Sequence, residues 1–201
     1  MRNRAPAALF VLAAWLMPAC VWPETSPLAF VRENVGHVVA VLENPDLRGE
    51  ERRSQRYAEL SRITDAFFNA TELARRALGQ RWRMFSGAEQ QEFTQLFLEL
   101  IKQTYLGKLD AYNNNGITYD QEIFQSPTQA EVLLTVTTDK GPLRVEIALI
   151  RDANGWRAFD VTVENISLVR NFRTQFQSIL QSHPPQYLIR ILKEKVHGSA
   201  Q

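Results

Sequence analysis

Residues able to do covalent or acid–base chemistry are sparse in this chain, and they do not converge. Cys20 is the one cysteine. It leaves no intramolecular disulfide to form, and it lies in a segment that reads as a leader. The histidines, His37, His183 and His197, fall in separate predicted elements, and none has a second ligand at metal spacing. No Gly-rich phosphate loop or nucleophile elbow occurs. Asp160 and Glu164 lie four apart, a spacing expected to put both on one strand face, where paired carboxylates can do general acid–base work. Pairing with an arginine such as Arg173, tying the last strand to the helix after it, is the simpler reading. These residues support no catalytic, metal or cofactor assignment.

Arginines cluster twice. Arg52, Arg53 and Arg56 fit a solvated helix face. Arg75, Arg76, Arg81 and Arg83 surround Gly79 and Trp82, where the chain is expected to change direction. This second group is the candidate docking face for an acidic partner or a phosphate head group. The whole chain carries 23 basic and 22 acidic side chains, so the charge excess that nucleic-acid binding requires is missing.

The first segment is set apart from the rest. Arg2 and Arg4 precede an apolar run from Ala5 to Met17, and Pro18-Ala19-Cys20 follows. Residues 1–23 are expected to be a secretory signal peptide, too short for a comfortable membrane span. Met17-Pro18-Ala19-Cys20 loosely resembles a lipobox, which would make Cys20 a lipidated first residue. Residues 24–201 then form one domain, with a net charge of about −1 once Arg2 and Arg4 are gone. Its apolar share is that of a folded globular chain.

Periodicity places the elements. Ser26-Pro27 opens a helix with Leu28, Val31, Val35, Val38 and Leu42 on one stripe, and Asn44-Pro45 stops it. A second helix is expected from about Glu50 to Phe68, and a third from Asn69 to Gly79. Ser86 and Glu89 form a capping box for a long helix carrying Phe93, Phe97, Leu100, Ile101, Tyr105, Leu109 and Tyr112. Asn113-Asn114-Asn115-Gly116 ends it. The period then switches to two. Strands are expected over 117–124, around 132–136, over 143–149 and over 159–163, with Lys140-Gly141 and Asn154-Gly155 as hairpin turns. Two helices close the chain, separated by His183-Pro184-Pro185. This order predicts an α+β fold in which helices pack on a twisted antiparallel sheet of about four strands.

Two segments carry a resemblance. Ala77-Leu78-Gly79-x-x-Trp82, followed by Phe93, Phe97, Leu100, Thr104 and Tyr105, is similar to the central region of MlaC-type proteins, the toluene-tolerance auxiliary family. The stretch Trp156-x-x-x-Asp160-Val161-x-Val163-Glu164-Asn165-Ile166-Ser167-Leu168-Val169-x-Asn171-Phe172-Arg173-x-Gln175-Phe176 resembles the signature after that family's last strand. Asn165 departs from it, because glycine is usual there. The likeness runs from about Pro27 to Lys195.

The resemblance implies a periplasmic phospholipid carrier, not an enzyme, with an acyl-chain pocket enclosed by sheet and helices. It implies shuttling between an outer-membrane lipoprotein complex and an inner-membrane ABC transporter with its lipid-binding channel subunit, which maintains outer-membrane lipid asymmetry. A hopanoid is the alternative cargo, and an exported interaction module without ligand the alternative role. If the pocket is present, the inward residues of the alternation and of the helix stripes are expected to share one interior and line it. These are Val145, Ile147, Leu149, Phe159, Val161 and Val163 from the strands, with Phe97, Ile101, Tyr105, Phe172 and Phe176 from the helices. Ile166 is expected at the mouth.

Overall fold

The computed structural model describes residues 25–111 and 116–198. The leader, Cys20, Tyr112 and Asn113 to Asn115 lie outside the described residues.

Four of the helices begin where a side chain, Ser26, Asn69, Ser86 or Ser167, accepts an otherwise unpaired backbone N–H. Helix α1 (Pro27–Glu43) is capped by Ser26, whose hydroxyl accepts the N–H of Ala29 at 3.0 Å, and Pro27 sits in its first turn. Its Leu28 N–H donates to the Glu122 carboxylate at 2.7 Å, fixing the helix start to the sheet edge. Helix α2 (Arg53–Phe67) follows a short 3₁₀ turn. Helix α3 (Ala70–Leu78) is capped by Asn69. It ends at Gly79, whose φ of +56° is in the region that glycine adopts without strain. Helix α4 (Gly87–Tyr105) carries the complete Ser86–Glu89 capping box. It stops at Tyr105 instead of continuing to Tyr112, because the chain tightens into a 3₁₀ helix over Leu106–Ala111; Gly107 lowers helix propensity there.

The sheet is a meander of β1 (Ile117–Ser126), β2 (Gln129–Thr138), β3 (Gly141–Asp152), β4 (Gly155–Val163) and β5 (Ile166–Ser167), antiparallel throughout and in sequence order. The fifth strand, two residues long, adds to the four expected. Helices α5 (Leu168–Ser182) and α6 (Pro185–Gly198) complete the chain.

Apolar side chains gather in two clusters rather than one interior. In the first, Phe30 and Val31 of α1 cover Ala130, Val132, Leu134, Ile147, Leu149, Trp156 and Ala158 on one sheet face. In the second, α3, α4, α5 and α6 pack on one another around Phe93, Phe97, Phe172 and Phe176. These four rings meet at centroid distances of 5.0 to 5.6 Å, mostly edge to face, the arrangement favoured by the ring quadrupole. Phe68, at the α2–α3 junction, packs against both clusters. Asn69 secures that junction by donating its N–H to the Ala158 carbonyl at 2.8 Å.

Candidate functional site

Between the two clusters the packing leaves a cavity of about 420 Å³. Thr64 of α2 and Phe68 form one wall. Ile101, Lys102 and Tyr105 of α4, with Leu106, form another. Val161, Val163, Glu164 and Ile166 close the sheet side, and Leu168 and Asn171 the α5 side. Ile101, Lys102 and Leu106 are buried, so they make the floor, while exposed Val163, Glu164 and Ile166 mark the rim. A volume of this size suits a small ligand, and a lining this apolar suits a hydrocarbon one. A second cleft of equal volume, beside the β3–β4 turn, is lined by Glu33, Asn34, His37, Arg62, Arg151 and Arg157 among others. Its charged walls do not suit an acyl chain.

The register explains which strand residues reach the cavity. Val145, Ile147 and Leu149 stand opposite Val163, Val161 and Ala158, so they share a face. Helix α1 covers the Leu149 end of that face, and the Val161–Val163 end remains to wall the cavity. Of the residues expected to share one interior, the structure brings Ile101, Tyr105, Val161, Val163 and Ile166 to the cavity. Ile147 and Leu149 lie instead in the sheet cluster with Val145 packed against it, and Phe97, Phe172 and Phe176 in the helical cluster. Phe159 is the extra residue of a bulge in β4, opposite the Ala148–Leu149 step. Its ring lies 3.7 Å from the Arg76 guanidinium carbon. Periodicity identified which faces are apolar but not which apolar faces meet.

Lys102 is the lining residue that sequence reading passed over most conspicuously. It occupies a core position on α4, four residues after Leu98 and three before Tyr105, and is 7% exposed. Its ammonium donates to Ser61 at 3.1 Å and lies 2.7 Å from Asp65 and 3.4 Å from Glu99. Those acceptors match the three protons of the group. Asp65 and Glu99 line a neighbouring groove together with Lys102, not the apolar cavity. The cavity therefore meets the aliphatic stem while the charge is held on the far side. A lysine on an apolar stripe was the available signal. Lys102→Met is expected to lower unfolding stability by about 1–2 kcal/mol, a value reduced from that of a fully buried pair because both carboxylates are partly exposed. Urea denaturation checks it; an unchanged midpoint would show that the α2–α4 tie contributes nothing.

Glu99 also accepts the Tyr57 hydroxyl at 3.2 Å. Burial, followed by the nearby Glu99 charge and this hydrogen bond, raises the Tyr57 pKa to about 12 from 10.0. The native state therefore keeps a proton that the unfolded chain releases, and stability falls as pH rises from about 10 to 12. Tyr57→Phe should show a shallower alkaline decline in urea midpoint than the parent. Parallel declines would refute the contribution.

The signature segment shapes the rim. Asp160 does not pair with Arg173, and Glu164 lies beyond the end of β4, not on a strand face with Asp160. The Asp160 carboxylate accepts the Ser167 hydroxyl at 2.5 Å and the Val169 N–H at 3.0 Å, while Ser167 caps α5 by accepting the Arg170 N–H. A carboxylate at a helix N-terminus is favoured by the local dipole. Arg173 donates instead from Nε to the Arg76 carbonyl at 2.8 Å, with a second bond from its Nη2, satisfying the end of α3. Glu164 and Asn165 form the β4–β5 turn at φ +48° and +67°. Asparagine tolerates that region and stands where glycine was expected.

The four-arginine cluster divides in two. Glu72 binds Arg75 at 2.7 Å and Arg76 at 2.6 Å, so the two guanidinium groups share one carboxylate within α3. Arg81 and Arg83 lie on the following 3₁₀ turn and pair with no carboxylate among the described residues. No group of three metal-ligating side chains occurs among the described residues. No helix among them is long and apolar enough to cross a membrane.

Known proteins share this architecture. A phospholipid-binding protein from Ralstonia solanacearum, solved in complex with a phospholipid, superposes with a TM-score of 0.75 over 89% of this chain and 99% of that one, at 22% identity. That likeness is one of fold. The toluene tolerance protein ttg2D of Pseudomonas putida is 28% identical over 127 residues, or 62% of this chain and 59% of that protein, so the match spans less than two thirds of the relative's length. The MlaC protein family model matches residues 32–194, from α1 into α6, and the chain belongs to that family.

Proposed function

We propose that this protein is a periplasmic phospholipid carrier. In this reading, one or more acyl chains occupy the cavity between β4–β5 and α4–α5, and the head group stays near Glu164 and Ile166. The observation that carries the proposal is the apolar cavity itself, with Lys102 as its only cationic lining residue among the described residues and that charge turned outward. The MlaC membership and the phospholipid in the structurally similar Ralstonia protein support it. No step of this activity requires covalent chemistry.

A carrier answers a physical need. Exposing each methylene to water costs about 0.8 kcal/mol. Two tails of ordinary length cost on the order of 22 kcal/mol, which as a barrier allows roughly one unaided escape per hour. Burial in a protein lowers that barrier, but the same arithmetic traps cargo in the carrier. Release is therefore coupled to partners that bind an opened form more tightly than the closed one. We assign those partners as an outer-membrane lipoprotein complex and an inner-membrane ABC transporter, with shuttling between them maintaining lipid asymmetry. Arg81 and Arg83 are the cations best placed for docking, since Arg75 and Arg76 are already paired. Export through the leader in residues 1–23 belongs to the same proposal, with lipidated Cys20 as a variant of it.

The test is an organic extract of the protein purified from a double-membrane bacterium, analysed by mass spectrometry. Phospholipid at a near one-to-one ratio is the expected result, and a hopanoid would change the cargo but keep the carrier. An empty extract together with no uptake from added lipid would overturn the function.

A further inference from the structure

The apolar sheet face that walls the cavity continues past its rim to solvent. Ile166 is 67% exposed, Val163 39% and Leu143 36%. Strand register brings them together: Val163 pairs with Ile166 across the β4–β5 turn and with Val145 on β3, and Leu143 lies two residues before Val145 on the same face. The patch is therefore continuous with the opening.

This tip is held rather than loose. The Glu164 carboxylate accepts the Arg144 N–H at 2.7 Å, and the Glu164 N–H donates to the Arg144 carbonyl at 3.0 Å. On the other side, Asp160 and Ser167 lock β5 to the start of α5. A glutamate at φ +48° is a strained choice. The surroundings thus maintain a turn that presents an isoleucine to water, which core packing does not require.

Cations stand around the patch. Arg144 and Arg170 are exposed; Arg144 follows Leu143 and projects from the other face of the same sheet tip, and Arg170 reaches only the Asn165 carbonyl, at 3.5 Å. Lys108 lies over the ring of Tyr105, itself a cavity residue, at 4.9 Å. None of the three pairs with a carboxylate among the described residues. The rim's own acid, Glu164, is turned back onto the Arg144 backbone. An exposed apolar tip with unpaired cations beside it suits an interface that is apolar within and anionic at its surface.

We propose that Leu143, Val163 and Ile166, with Arg144, Arg170 and Lys108 around them, dock the mouth of the cavity on the surface of an anionic lipid bilayer. The apolar tip enters the head-group layer, and the cavity then opens toward the membrane. Docking orients the carrier and does not by itself release cargo. The inference rests on the cavity being a lipid site, but the two can fail separately.

The experiment is flotation of the purified mature protein with vesicles of phosphatidylcholine alone or with phosphatidylglycerol added, at low and high salt. Association with the anionic vesicles is expected, weakened by salt. Ile166→Asp should weaken it at least tenfold, as should the double variant Arg144→Glu/Arg170→Glu. Leu143→Asp, at a residue outside the cavity lining, should weaken association while the protein retains its cargo and its circular dichroism spectrum. No association with bare anionic vesicles overturns the proposal. So does association that survives both aspartate variants and is lost only on charge reversal, which would be plain electrostatic adsorption. If the parent ignores bare vesicles but Ile166→Asp abolishes binding to vesicles carrying a membrane complex, the rim docks a protein and the bilayer assignment is overturned. Lipid content by mass spectrometry separates the two readings: an empty protein that floats as expected sinks the cargo proposal, and a loaded protein that does not float sinks docking alone.

Discussion

Aspartate in place of Val161 is expected to empty the cavity and leave the protein folded, whereas aspartate in place of Ile147 is expected to unfold it. The two residues face each other across β3 and β4 and point to the same side of the sheet. Their surroundings differ. Val161 is only partly buried and lines the cavity, where a carboxylate can keep water and meet no packed atoms. Ile147 is 4% exposed, within the cluster of Val132, Leu134 and Leu149. A charge there has no partner and no solvent. Its cost is several kcal/mol, comparable with the about 5–15 kcal/mol that holds a domain together. Lipid occupancy of Val161→Asp should fall about tenfold or more, since the carboxylate occupies space an acyl chain would fill. Mass spectrometry of the extract, together with circular dichroism and urea denaturation, reads both arms. Unfolding of both variants would make the cavity wall ordinary core. Full lipid retention in Val161→Asp would place the cargo elsewhere.

The second large effect concerns Phe97. Its side chain is fully buried and meets Phe93, Phe172 and Phe176 at centroid distances of 5.6, 5.0 and 5.2 Å. Phe97→Ala removes a ring from the middle of that cluster and leaves a hole that fixed helices cannot close. The expected loss is about 3–5 kcal/mol of unfolding stability. The lipid carried per folded molecule should stay near the parent value, because Phe97 does not line the cavity. A small stability change with a large loss of lipid would reverse the assignment and return Phe97 to the ligand site. Phe172 and Phe176 are expected to follow Phe97, and Ile101, which belongs to the helical cluster and also forms the cavity floor, to show both effects.

Local structure was legible in the sequence because its causes are local. Ser26, Asn69 and Ser86 could be read as caps, since a capping oxygen reaches backbone only two or three residues away. Asn154-Gly155 and Lys140-Gly141 marked two hairpin turns, and both glycines have positive φ. Strand alternation placed Val145, Ile147, Leu149, Val161 and Val163 on one face, as the register bears out. The same kind of reading erred where a side chain chooses among distant partners. Asp160 was expected to bind Arg173, yet helix-start N–H and hydroxyl groups lay nearer, and Arg173 reached across to a helix end 97 residues earlier in the chain.

The candidate site was decided at the tertiary level. An amphipathic stripe records that a face will be buried, but every apolar face matches every other to first order, since burial is non-directional. Nothing in the spacing of Phe93, Phe97, Phe172 and Phe176 could state that they pack on one another rather than on the sheet. Nor could the alternation of β3 and β4 state that α1 covers Leu149 and stops short of Val163. The cavity lies where these two packings fail to meet, and its floor includes a lysine whose ammonium is satisfied by a helix 41 residues away in sequence. The sequence determined which surfaces would leave water. Geometry alone, through the lengths and angles at which rigid elements can pack, decided where an apolar surface would be left without a protein partner.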